Sequence, residues 1–370
     1  MEFCDLRRQY QLLKKSIDFN IQNVLTSGKF INGQEVRLIE EKCSTFVGVK
    51  HAIGTSSGTD ALLVALMAYG VQKGDYVITT PFTFIATAEV ISLVGAKPLF
   101  VDICPKTYNI DSEKINELMK DAISRNIKGI IVVDIFGQPA DYDAIRKIAK
   151  QHDLFVIEDA AQSFGAEYKG RKACSLGDIS TTSFFPSKPL GCYGDGGMIF
   201  TNNDELAYKM RKMINHGQSK KYEHELIGTN ARLDTLQAAI LLAKFDNYIQ
   251  GGVERRNNVA RMYTERLSGK TEIILPFVEP FCKSSWAQYA IQTDKRETII
   301  NHLEKSGIQT AIHYPKPLHL QKAFSELGYK QGDFPVAEEL SKKILSLPMD
   351  ELKTEQEISF VCEKIKEIIK

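Results

Sequence analysis

Residues 51–103 read HAIGTSSGTDALLVALMAYGVQKGDYVITTPFTFIATAEVISLVGAKPLFVDI. Short β-branched runs (HAIGT, YVITT, KPLFVDI) alternate there with longer helix-like segments (TDALLVALMAYG, FIATAEVISLV). That alternation signals βαβ units and a mostly parallel sheet. It continues through a charged helix near 112–125, the apolar run GIIVVDI at 129–135, a helix at 141–152 and the strand LFVIED at 154–159. Open α/β sheets hold ligands beyond the carboxyl ends of their parallel strands, so the turns after Thr80, Asp134 and Glu158 come under scrutiny.

Beyond Asp178 the pattern shifts to shorter strands, ISTTSFF and GMIFT, flanking the Gly-rich segment PLGCYGDGG, and then to a long helix near 232–248. From about residue 250 the chain is more charged and helical, with one strand-like run, AQYAIQT, and a final amphipathic helix. The expected architecture is α/β: a large domain with a mostly parallel mixed sheet, and a smaller α+β C-terminal domain. The expected boundaries are 1–25 for an N-terminal segment packing with the small domain, 26–248 for the large domain and 249–370 for the small one. No internal repeat or low-complexity tract is present.

A chain of 370 residues exceeds what one hydrophobic core usually serves. With 43% hydrophobic and 25% charged residues it has the makeup of a globular protein rather than a disordered one. Its 47 basic and 46 acidic residues leave a net charge of +1, which provides no overall field for nucleic acid or an acidic membrane. Any anionic ligand must be held by local groups. The seven cysteines are scattered and form no CxxC pair, which suggests neither a disulfide framework nor a zinc site and fits a reducing cytoplasm. The first 30 residues lack the apolar core of a signal peptide, and no later run approaches the ~18 apolar residues of a membrane span.

Three segments can carry chemistry. In VIEDAAQSFGA (156–166) a strand ends in two carboxylates followed by small residues, which points Asp159 toward an open crevice. Taken alone, Asp159 reads more simply as a helix N-cap. In TTSFFPSKPLGCYGDGG (181–197), Lys188 stands among prolines, glycines and apolar residues rather than on a charged helical face. Partial burial there would lower its pKa and free the amine for imine formation. Ser183 and Ser187 could donate to a phosphate. The glycines match neither a Walker loop nor a dinucleotide fingerprint. In GTSSGTDALLVAL (54–66) a strand, a hydroxyl-rich turn and a helix N-terminus make an anion site, although Ser57 or Thr59 could simply cap the helix.

Together with PFTFIATAEVI, FGQPAD, GTNARLDTLQAA and HYPKPLH, and in this order along nearly the whole chain, these segments resemble the DegT/DnrJ/EryC1/StrS family of sugar-nucleotide aminotransferases. The resemblance implies the fold-type I, aspartate aminotransferase-like fold of pyridoxal 5'-phosphate (PLP)-dependent transferases. It makes Lys188 the Schiff-base lysine and the group that moves the proton. It pairs Asp159 with the pyridinium nitrogen, sets Gln162 against the ring hydroxyl and stacks Phe84 on a ring face. Gly58, Thr59 and Ser183 would hold the phosphate, and Asn230 would reach the phosphate of a neighbouring subunit, so a homodimer with shared sites is implied. Arg232, His313 and Tyr314 look like substrate contacts. His313 and His319 are too far apart for a helical metal pair, and no metal is expected.

The resemblance further implies a two-step transfer in which L-glutamate converts PLP to pyridoxamine 5'-phosphate (PMP) and a nucleotide-linked keto sugar then accepts the amine. The lysine segment is especially similar to the branch that aminates UDP-2-acetamido-2-deoxy-3-oxo-glucuronate, and Arg232 could pair with a sugar carboxylate in bidentate fashion. Other members act at carbon 4 or on dTDP sugars. The product would serve surface glycans such as the O-antigen of lipopolysaccharide. A dehydratase of this fold would carry histidine in place of Lys188. A non-catalytic regulator would be expected to lose Asp159, Lys188 or the phosphate residues. A nucleotide-dependent oxidoreductase would need the glycine fingerprint after the first strand.

Overall fold

The computed structural model describes residues 1–121 and 125–369. Its centre is a seven-stranded sheet of β1 (His51–Thr55), β2 (Tyr76–Thr79), β3 (Lys97–Phe100), β4 (Ile127–Val133), β5 (Phe155–Asp159), β6 (Ile179–Ser183) and β7 (Gly197–Thr201). The spatial order is β1-β7-β6-β5-β4-β2-β3. The pairs from β6 through β5, β4 and β2 to β3 are all parallel, while β7 runs antiparallel to both neighbours. The expected mostly parallel mixed sheet is the one found. In its register Asp159 stands level with Val133 on one side and Thr181 on the other, so the residues after these positions share one rim.

Helices cover the sheet because their apolar residues have nowhere else to go. In α3 (Gly58–Ala68) residues Ala61, Leu62, Val64, Ala65 and Leu66 are all buried, packed between the sheet and the neighbouring helices α4 (Ala86–Leu93) and α7 (Asp204–Met213). α6 (Tyr142–Gln151) is amphipathic instead and buries only Tyr142, Ile145, Ile148 and Ala149. Of the charged helix expected over 112–125, the structure shows Ser112–Asp121; residues 122–124 lie outside the described ones. The long helix expected from 232 begins later, as α8 (Thr235–Ile249). Arg232 is drawn into an antiparallel bridge with Thr55, and Asp234 keeps an extended backbone at the cap.

A second core gathers residues after 250. β8 (Tyr289–Gln292) pairs antiparallel with β9 (Ile344–Leu347). α9 (Gly252–Leu267), α10 (Arg296–Lys305) and α12 (Glu355–Lys366) enclose Tyr263, Tyr289, Leu345, Leu347 and Val361. The rings of Tyr263 and Tyr289 stack with centroids 4.9 Å apart. The start of the chain is tied to this region through the Met349 N–H bonded to Phe3 O at 2.9 Å and the Asp5 N–H bonded to the Asp350 carboxylate at 3.0 Å. α1 (Leu6–Ser27) then runs along α8, where the Asn20 side chain donates to Ala239 O. Among the described residues no helix is long and apolar enough to cross a membrane.

Candidate active site

Three turns meet at the rim defined by β4, β5 and β6. Asp159, the last residue of β5, is 5% exposed and accepts from Thr87 Oγ1 at 2.8 Å and from the Ala161 N–H at 3.2 Å. Burial raises its pKa, and the two donors and the nearby charge of Lys188 pull the other way. No helix follows Asp159, so the N-cap reading fails; the chain turns through 160–165 and brings Gln162 back over the rim. Gln162 Oε1 accepts the Phe136 N–H at 2.7 Å, and its Nε2 donates to Tyr314 Oη at 3.2 Å. The amide is thereby fixed from both ends, joining the turn after β4 to the HYPKPLH segment.

Lys188 lies in the loop between β6 and β7, half-buried, with its N–H bonded to Phe185 O at 2.9 Å. Burial lowers the pKa of its amine, and the carboxylate of Asp159 opposes that shift. The coupling appears in both groups, which places them in one electrostatic environment. An amine that gives up its proton readily can attack a carbonyl carbon and later carry a proton.

The third component is the amino end of α3. Ser57 caps the helix, accepting the Asp60 N–H at 3.0 Å, a cap worth about 1 kcal/mol. The capping reading of this turn is therefore correct for Ser57, yet it leaves the amides of Gly58 and Thr59 without intrahelical acceptors. A Cβ on Gly58 would come within 2.8 Å of Ser183 Cβ, and one on Gly197 within 2.4 Å of Ser57 O. Glycine at both places lets the helix end close on β6 and β7, and it sets the Ser183 hydroxyl beside the free amides. Free amides, hydroxyls and the positive end of the helix dipole form an anion cradle.

The HYPKPLH segment supplies the outer wall. Tyr314 is tied to Gln162, and burial raises the pKa of its phenol. His313 Nδ1 meets Ser346 Oγ at 2.9 Å, and burial, helped by the charge of Lys188, lowers its pKa to about 4. The neutral imidazole is thus the resting form. Phe84 is 55% exposed with its ring 6.5 Å from that of Tyr314, an open aromatic face at the mouth. His319 belongs elsewhere: it is buried, with Nε2 3.0 Å from Glu338 Oε1.

Asn230 and Arg232 are not brought to Lys188 by any described contact. Asn230 is exposed and bridges to Asn215; Arg232 Nη1 donates to the Asn215 side chain and lines a 350 Å³ groove with Arg37, Arg211 and Glu40. Sequence reasoning missed Thr87, which donates to Asp159 across 72 positions. Its signal was its place in PFTFIATAEVI, one helical turn after Phe84.

An amine with a lowered pKa, a buried carboxylate and a helix N-terminus on the carboxyl edge of an α/β sheet are the groups that imine chemistry on an anionic ligand would require. The chain belongs to the DegT/DnrJ/EryC1/StrS aminotransferase family, whose model matches residues 11–366. It is 46% identical over 362 residues to a UDP-2-acetamido-2-deoxy-3-oxo-D-glucuronate aminotransferase of Pseudomonas aeruginosa, covering 98% of each chain. It is also 46% identical over 366 residues to a pleiotropic regulatory protein of Geobacillus stearothermophilus, covering 98% of this chain and 97% of that one. Among solved structures it is similar to NtdA of Bacillus subtilis with bound cofactor PMP, at 33% identity and a TM-score of 0.89, covering 96% of this chain and 82% of that one.

Proposed function

We propose that this protein is a PLP-dependent aminotransferase that moves the amino group of L-glutamate to a nucleotide-linked keto sugar, with a UDP-2-acetamido-2-deoxy-3-oxo-hexuronate as the leading acceptor. One observation carries the reading: Lys188, Asp159, Gln162 and the α3 cradle converge on one rim although they come from three separate turns. The substrate class rests on the P. aeruginosa relative.

The residues present fit PLP. The amides of Gly58 and Thr59 with the Ser183 hydroxyl suit its phosphate, Asp159 its ring nitrogen, Gln162 its ring hydroxyl, Phe84 a ring face and Lys188 its carbonyl carbon. When bound, PLP supplies an electron sink for the charge left at the amine-bearing carbon. The chain's own residues do the rest. Asp159, held by Thr87 and Ala161, keeps a carboxylate where a protonated ring nitrogen needs one. Lys188 Nζ, partly desolvated, takes a proton from one carbon and returns it to another. His313 and Tyr314 close the outer side and orient the sugar.

We also propose a homodimer in which Asn230 reaches the phosphate, and Arg232 the sugar carboxylate, in a second copy. Supporting it, the segment before Asn230 exposes Ile227 and Tyr222 at 86% and 81%, and neighbouring Phe30 and Ile31 are exposed as well. Residues 26–248 would form the cofactor domain and 249–370 the smaller one.

The test is the visible absorption of the protein with PLP, before and after L-glutamate, then after a UDP-linked 3-keto sugar acid. Expected is a band that glutamate bleaches and the keto sugar restores, and that Lys188→Ala never develops although it folds. A second reading, a non-catalytic regulator, is favoured by the name of the G. stearothermophilus relative. It wins if no band forms with the native protein. If glutamate bleaches the band and a dTDP-linked or 4-keto sugar alone restores it, the acceptor changes and the activity stands.

A further inference from the structure

The loop that carries Lys188 is closed at its base by backbone bonds from the Cys192 N–H to Phe184 O and from the Phe184 N–H to Gly196 O, both 2.8 Å. Two side chains of α8 reach it from behind. Gln237 Oε1 accepts the Tyr193 N–H at 3.0 Å, and Lys244 Nζ donates to Gly191 O at 2.6 Å. These two residues are seven positions apart, two helical turns, and so lie on one face of α8. The Lys244 ammonium is also 4.2 Å from the centroid of the Tyr193 ring.

Lys244 is only 3% exposed, and burial lowers its pKa to about 8. A methionine would occupy similar volume with no charge to desolvate, so net stability is not what the ammonium contributes. What it contributes is a fixed place for Gly191, three residues past Lys188.

We propose that Lys244 is a positioning residue for Lys188: with Gln237 it clamps the 184–193 loop onto α8 and so holds the reactive amine in line with the crevice. The proposal rests on the reading of Lys188 as the lysine that bonds the cofactor.

The test compares native protein with Lys244→Met and Gln237→Met by three measurements on the full chain. They are hydrogen exchange of the 185–193 amides without added cofactor, the rate at which PLP becomes fixed to Lys188 by borohydride, and the melting temperature. Lys244→Met should melt no lower than native protein while its loop amides exchange about tenfold faster, a local opening confined to that segment. PLP attachment should slow several-fold, and Gln237→Met should shift both rates in the same direction. Native exchange rates in Lys244→Met would overturn the clamp. So would faster exchange with an unchanged attachment rate. Should Lys244→Met not fold, Gln237→Met decides alone by the same two criteria. If PLP never attaches to Lys188 in the native protein, the functional reading fails, while the exchange data still decide whether the clamp exists.

Discussion

Glu158 and Asp159 are neighbours at the end of one strand, and both are buried carboxyls whose pKa is raised by burial. They differ in how many donors hold them. Glu158 accepts from the N–H groups of Cys174, Leu176 and Gly177 and from Ser180 Oγ at 2.6–3.3 Å, and its charge is felt by the buried carboxyl of Asp134. Burial and the charge of Glu158 both push the pKa of Asp134 well up. Its oxygens are occupied as well, by Ala140, Tyr142 and Ser163. Among the described residues the Asp159 carboxylate has Thr87 and Ala161 as donors, and it faces the opposite side of the strand, toward the crevice. A saturated buried carboxylate knits turns together, whereas one left with unused acceptor capacity at a rim can meet a ligand. Burial and a shifted pKa do not separate the two; the donor count does.

Substitutions can break that contrast. Asp159→Asn should cost roughly 10²–10³-fold in the rate of amine transfer, the scale of removing one positioned electrostatic partner, and change the melting temperature little. Full activity in that variant would place Asp159 with the structural carboxylates. Glu158→Ala should do the reverse. It strands several buried N–H groups and should cost about 3 kcal/mol in chemical denaturation, while the fraction that remains folded keeps its specific activity. The smallest effect concerns His313, which resembles Asp159 in having one side-chain partner, Ser346. Its imidazole ionises near 4 in the folded chain against 6.5 in the unfolded one. As the pH falls from 6.5 toward 4 the unfolded state takes up a proton that the folded state refuses, so stability is lost through that window. His313→Gln should lose about 1 kcal/mol less than native protein between those pH values, since the site is partly solvated. Equal acid sensitivity in denaturation series at both pH values would show that the imidazole is not held neutral.

Much of this was legible beforehand. The β-branched runs at 51–55, 76–80, 129–135 and 154–159 announced strands by local composition, and β1, β2, β4 and β5 overlap them, with β4 beginning two residues earlier and ending two residues earlier than its run. The partial burial of Lys188 was foreseeable because a lysine among prolines, glycines and phenylalanines has no charged helical face to join. The delayed start of α8 was not, since the residues from 230 to 234 are kept extended by bridges to Asn215, Thr55 and Ile31, which come from other parts of the chain. Nor could local pattern separate Glu158 from Asp159 by role. Alternation says that they face opposite sides, but the donors that saturate Glu158 come from the turn at 174–177 and from Ser180 on β6, 16–22 residues downstream.

The sequence by itself determined the order of strands and helices, the family and the residue types able to do imine chemistry, because backbone propensity and side-chain period act over a few residues. Only the tertiary structure decided which groups meet. It set Thr87 on Asp159, Gln162 between Phe136 and Tyr314, Lys244 under the Lys188 loop, and Arg232 in a groove with Arg37 and Arg211. Those encounters span tens to hundreds of positions and are fixed by how buried surfaces pack, which local pattern does not encode.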